Sequence, residues 1–126
     1  MDRQQAKLEY KNRKPNMGIY QITNRANGKI YVCSSRNLDG ILSRFQMVLK
    51  YSWNWDAANH ELNRDLKELE PDNFTLDILD RLKPNEDPNY NYSEDLKTLE
   101  ELWLERLQPF GERGYNRRKA QKGEPG

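Results

Sequence analysis

The chain has 126 residues, enough for one domain with a modest core, and at 35% hydrophobic and 33% charged it has no apolar run long enough to span a bilayer. Its net charge of +1 conceals basic ends, five Lys/Arg against two Asp/Glu in both residues 1–16 and residues 112–126, around a middle of eleven against sixteen; such an acidic body opposes strong non-specific binding to nucleic acid. The single cysteine, Cys33, excludes an internal disulfide and a Cys-rich zinc site, and the polar start Met1-Asp2-Arg3-Gln4-Gln5 is unlike a signal peptide, so a cytoplasmic location without membrane contact is expected.

Residues 1–16 read as a basic N-terminal helix or tail, stopped before Pro15. Met17 to Asn24 and Lys29 to Ser34 read as two strands joined by an Asn27-Gly28 turn, a β-hairpin. From Asn37 to Tyr51, Leu38, Ile41, Leu42, Phe45, Val48 and Leu49 recur at helical spacing and form one apolar stripe. Ser52 to Asp56 is a tryptophan-rich loop. Trp53 and Trp55 would stack on bases if exposed and cover the core edge if buried, and burial of at least one is expected. Asn59 to Leu69 is a short polar helix with Leu62, Leu66 and Leu69 inward, and His60 at its start reads as a surface residue. After a turn at Pro71-Asp72-Asn73, Phe74 to Leu79 alternates at period two with Phe74, Leu76 and Ile78 on one face, a third strand. Lys83 to Tyr92 is a loop. Ser93 is the expected N-cap of a last helix running to about Leu107, with Glu94 and Asp95 complementing its dipole. The fold class is therefore α+β: a small three-stranded antiparallel sheet flanked by helices.

The blocks Gly18-Ile19-Tyr20 and Tyr31-Val32-Cys33 resemble the signature hairpin of the GIY-YIG nuclease family. Later segments extend the resemblance over residues 17–116, leaving 117–126 as a basic tail. Ser34-Ser35-Arg36-Asn37-Leu38 resembles the approach to the family's first helix, and Asp72-Asn73-Phe74 the approach to its third strand. Leu99-Glu100-Glu101-Leu102-Trp103-Leu104 resembles the stretch with the metal-binding glutamate; Gln108-Pro109 and Gly114-Tyr115-Asn116 resemble the closing segment. The resemblance is greatest to a divergent branch of small bacterial proteins with an Asn-Leu-x-Gly helix start, here Asn37-Leu38-Asp39-Gly40.

The resemblance implies a site for phosphodiester hydrolysis. In the family, a tyrosine-activated water attacks phosphorus, a divalent metal stabilises the leaving oxygen and an arginine neutralises the phosphate. By position, Tyr20 and Tyr31 match the tyrosines, Glu100 the ligand for Mg²⁺ or Mn²⁺, and Asn116 the supporting asparagine. For each, the structural alternative is a half-buried strand aromatic, a helix-edge carboxylate or a turn residue.

Three departures oppose activity. The arginine position is Ile41, the histidine often found a turn later is Phe45, and the second block's glycine is Cys33, which reads as an inert thiol. Arg44, about 60° round the helix from Ile41, is the candidate replacement. Arg36 and Lys29 are further candidate nucleic-acid contacts. The expectation is a degenerate nuclease domain, weak or inactive, kept for binding DNA or a protein partner. The alternative is an active metal-dependent DNA endonuclease with a relocated arginine.

Overall fold

The hairpin forms because its turn satisfies its own backbone. The Asn24 amide donates to the Lys29 carbonyl at 2.9 Å and the Gly28 amide to the Asn24 carbonyl at 2.7 Å. The side chains of Asn24 and Asn27 accept from the amides of Ala26 and Lys29. Gly28 has a φ of 78°, left-handed backbone that glycine adopts without steric cost. The turn joins β1 (Gly18–Asn24) to β2 (Ile30–Ser35), antiparallel, with Tyr20 opposite Cys33 and Ile22 opposite Tyr31. The computed structural model describes residues 16–117; the expected helix or tail over 1–16 falls outside them except for Asn16, and the tail beyond Arg117 lies outside them.

β3 (Phe74–Arg81) pairs with the other edge of β1, so the sheet order is β2-β1-β3. The register slips between Ile19 and Tyr20, where β3 carries one extra residue, Leu79. Gly18 lies at this end of the pairing, and a Cβ there would stand 2.0 Å from the Asp80 carbonyl oxygen.

Three helices cover the sheet: α1 (Leu38–Tyr51), α2 (His60–Glu68) and α3 (Ser93–Leu107). Asn37 caps α1 by accepting from the Gly40 amide at 3.0 Å. Leu38, Phe45 and Val48 are buried, and Ile41 and Leu49 are partly buried against the same core. Leu42 departs from the expected stripe and stays exposed. It lies about 120° round the helix from Val48, at the edge of the apolar arc, where the sheet does not reach.

Asn59 caps α2, whose Leu62 and Leu66 join Tyr20, Ile22, Tyr31, Phe45, Trp55 and Phe74 in one cluster. α3 packs on β2 and β1, where Ile19 and Val32, on the sheet face opposite Tyr20, are fully buried. Ser93 is not its N-cap. It is the first helical residue, and the Asn91 side chain accepts the Ser93 amide at 2.9 Å instead. Among the described residues no helix is long and apolar enough to cross a membrane.

The closing segment docks on the outer edge of β2. The Tyr115 amide donates to the Ile30 carbonyl at 2.8 Å. The Asn116 side chain then brackets Val32, accepting from its amide at 2.8 Å and donating to its carbonyl at 2.6 Å.

Gly18→Ala must push the β1 and β3 backbones apart, whereas Gly28→Ala meets open space and strains only its own φ. Urea unfolding should show the first to cost about 2 kcal/mol or more and the second about 1 kcal/mol. Equal losses would mean that the close approach at Gly18 relaxes freely.

Candidate active site

Strand alternation puts Tyr20, Ile22, Tyr31 and Cys33 on the sheet face that α1 and α2 cover. Both tyrosines are buried among aromatic rings. Tyr20 lies 6.3 Å from Tyr31 and 5.9 Å from Trp55 between ring centres, the latter edge-on, and Trp55 meets Phe45 at 6.1 Å. The indole N–H of Trp55 donates to the Tyr20 hydroxyl at 3.3 Å. Trp55 is therefore the buried member of the loop pair, while Trp53 is half exposed.

The loop that carries Trp55 is pinned from α2. The Asn63 amide oxygen accepts from the Trp55 amide at 2.8 Å, and its NH₂ donates to the Asp56 carbonyl at 2.7 Å. This orients Asp56, whose carboxylate accepts from the Tyr31 hydroxyl at 3.4 Å. It also fixes the Trp55 carbonyl, which accepts from the Arg44 guanidinium. Arg44 stacks on the indole at 4.9 Å.

The result is an open cleft of about 240 Å³ lined by Tyr20, Tyr31, Arg44, Trp55, Asp56 and Ala57. Arg44 thus shares a cleft with both tyrosines. Phe45 is buried in the core and Ile41 is partly buried against it, and neither lines this cleft.

Glu100 lies round the edge of β2. It lines a second cleft of about 400 Å³ with Tyr31, Cys33, Asp56, Asn116 and Arg117. Its carboxylate accepts from the Ser34 hydroxyl at 3.4 Å. Tyr31 and Asp56 border both clefts. Cys33 stands at the junction, its thiol interacting with both tyrosine hydroxyls and with the charge of Glu100.

Burial sets the protonation of these groups. It pushes Tyr20 and Tyr31 far above the ordinary tyrosine range, and the neighbouring Cys33 adds to this. For Tyr20, Arg44 and the Trp55 bond pull weakly the other way. Burial, then Glu100, raises Cys33 as well. The first cleft therefore presents the Tyr20 hydroxyl and the Arg44 guanidinium, beside a Tyr31 hydroxyl already directed at the Asp56 carboxylate.

Two expected contacts do not reach either cleft. Arg36 donates to the Ser93 hydroxyl at 2.6 Å at the start of α3, because it stands in the connection between β2 and α1, before the helix that lines the first cleft begins. Lys29 pairs with Glu61 and lies 5.6 Å from the Tyr115 ring centre. His60 is exposed. Asp56, Trp55 and Arg117 border the clefts without having been picked out as site residues; nothing local in the sequence marks the first two, since a side chain on α2 holds their loop. Among the described residues no three His, Cys, Asp or Glu side chains gather as a metal site.

No family model matches the chain, and no curated protein does. Its fold is similar to that of the catalytic domain of the homing endonuclease I-TevI, at a TM-score of 0.59 and 25% identity, covering 82% of this chain and 99% of that one. A mutant of the catalytic domain of intron endonuclease I-TevI gives a TM-score of 0.60 and 24% identity, covering 84% of this chain and 97% of that one. The chain has a GIY-YIG-like fold.

The raised tyrosines and thiol carry a sign for stability. The unfolded chain releases these protons at lower pH than the folded one, so the stability they contribute is complete below the ordinary Cys and Tyr values of 9.0 and 10.0 and falls as pH rises past them. Urea midpoints measured from pH 7 to 11 should decline above about pH 9, and Tyr20→Phe/Tyr31→Phe should flatten that decline. An unchanged slope in the double variant would show that other groups drive it.

Proposed function

We propose that this GIY-YIG-like domain binds the phosphate backbone of DNA at the Tyr20–Tyr31–Arg44 cleft and is a nuclease of very low activity or none. The observation that carries the reading is the convergence of Arg44 with two buried, protonated tyrosines. A guanidinium and neutral hydroxyls are good donors to phosphate oxygens. The same groups are poor at hydrolysis. A tyrosine held protonated is slow to take a proton from water, and the Cys33 thiol stands beside Tyr31 and Glu100 in the second cleft. Asn116 acts as a positioning residue, since its amide holds the β2 backbone between Tyr31 and Cys33.

A divalent ion fits one part of this site. Glu100 is a partly buried carboxylate with oxygen-bearing neighbours, and Mg²⁺ commonly binds through one carboxylate while keeping much of its water. Glu100 would hold Mg²⁺ or Mn²⁺, which when bound supplies positive charge to phosphate oxygens. Cys33 is a soft neighbour that adds nothing to such an ion.

One observation favours a second reading, an active endonuclease. Arg44 lies on the tyrosine cleft, as a relocated phosphate ligand would, with Tyr20, Tyr31, Glu100 and Asn116 in their family roles. The two readings separate in one experiment. Full-length protein should bind a fluorescent duplex with a salt-dependent affinity that Arg44→Gln weakens roughly tenfold, while supercoiled plasmid with Mg²⁺ or Mn²⁺ is nicked no faster than by Glu100→Ala. Nicking that Glu100→Ala abolishes would establish the second reading. Binding to neither duplex nor single-stranded DNA would overturn the first.

A further inference from the structure

The sequence of α1 and its following loop is unusual within this acidic protein. From Gly40 to Trp55 there is no Asp or Glu, while Arg44 and Lys50 are both basic. This acid-free stretch also holds the described protein's most conspicuous exposed aromatic pair. Tyr51 and Trp53 stack at 5.3 Å with planes 26° apart, yet remain 50% and 51% exposed. Lys50 places its ammonium 5.3 Å from the Tyr51 ring centre, and Met47 beside them on α1 is also exposed.

The pair does not arise from core packing. Ser52 ends α1 in left-handed backbone, φ 57°, and the Trp53 amide donates to the Val48 carbonyl at 3.2 Å. The chain thereby turns Trp53 back over Tyr51, while Trp55 two residues on enters the core. Two large rings are held together outside the core, next to a cation.

The platform lies further along α1 from the Arg44 cleft. Seven residues separate Arg44 from Tyr51, close to two helical turns. They therefore lie about 20° apart round α1 and roughly 10 Å apart along it. Each ring has a cation against it: Arg44 on Trp55, and Lys50, from about 120° round α1, on Tyr51 stacked with Trp53. Rings that accept a base face, set between cations that accept phosphates, are the elements of single-strand recognition.

We infer that the Tyr51–Trp53 pair is a stacking platform for an unpaired nucleobase, so that the DNA this domain prefers is single-stranded rather than fully paired. The inference rests on the phosphate-binding reading of the Arg44 cleft. A duplex keeps its base faces stacked inside the helix and offers this surface nothing flat to accept. A single strand whose phosphate lies at Arg44 can place a neighbouring base on Trp53.

The test measures anisotropy of fluorescein-labelled dT20 and of a mixed-sequence 20-base-pair duplex with the full chain. Wild type should bind dT20 more tightly. Trp53→Ala, at an exposed position, should weaken dT20 binding roughly tenfold and leave the duplex unchanged, with an unaltered circular dichroism spectrum. Tyr51→Ala should act in the same direction, whereas Arg44→Gln should weaken both ligands.

Equal affinity for the two ligands, with no effect of Trp53→Ala, overturns the platform and leaves the phosphate reading standing. Binding of neither ligand overturns both. A Trp53→Ala variant that keeps dT20 affinity but loses a self-association seen by sedimentation assigns the pair to a protein contact and overturns the platform.

Discussion

The outer edge of β2 is the constraint on which the site depends. An edge strand carries unpaired amides and carbonyls that must find partners. Here the partners come from the far end of the described chain. Tyr115 pairs with Ile30, and the Asn116 amide serves both polar groups of Val32. Gly114 makes this approach feasible, because a Cβ there would lie 2.4 Å from the Ile30 and Pro109 carbonyl oxygens. The Tyr115 hydroxyl accepts from the buried Asn24 side chain and donates to Asp65. Its carbonyl takes the Asn59 amide. One tyrosine thus ties together the hairpin turn, the start and middle of α2, and the closing segment. The strand bearing Tyr31 and Cys33 is held from both sides.

Above this frame, apolar side chains pack against the core while a cation stays at the rim. Phe45 is buried in the core and Ile41 is partly buried against it. Burying an isoleucine gains transfer free energy on the order of 2 kcal/mol, and a buried arginine without an anion would carry a desolvation cost. The guanidinium of Arg44 avoids that cost at the exposed rim, where it lies on the indole and donates to the Trp55 carbonyl. The fold has kept a cation near the tyrosines without burying its charge. The thiol at position 33 has the opposite consequence, since it fills space beside the hydroxyls with a weak hydrogen-bonding group.

Local pattern made much of this legible. The hairpin, the α1 stripe and the period-two run from Phe74 rest on spacing alone, and each stands where the spacing puts it. The limits of the sequence lie where partners are distant. Leu42 fits the stripe arithmetically, yet its exposure depends on how far the sheet extends. Ser93 has the chemistry of a cap, but Tyr92 holds the cap position, the Asn91 side chain accepts the Ser93 amide, and Ser93 became the acceptor for Arg36. The burial of Trp55 and exposure of Trp53 were open in the sequence because both flank the same asparagine. The decision belongs to Asn63, which grips the Trp55 amide from another helix. Arg44 could be placed on the right flank of α1 by geometry. That it would lie on an indole and reach a loop carbonyl could not.

That carbonyl contact has a thermodynamic consequence. A free arginine at a helix surface samples many rotamers, and an anion that captures it must freeze them. Arg44 is already held by the Trp55 ring and carbonyl, which themselves hang from Asn63. One of its five N–H groups is engaged, and the fork retains others. The entropy of ordering this side chain is lost when the protein folds, so on the proposed reading a phosphate would meet a preorganised donor rather than a mobile one.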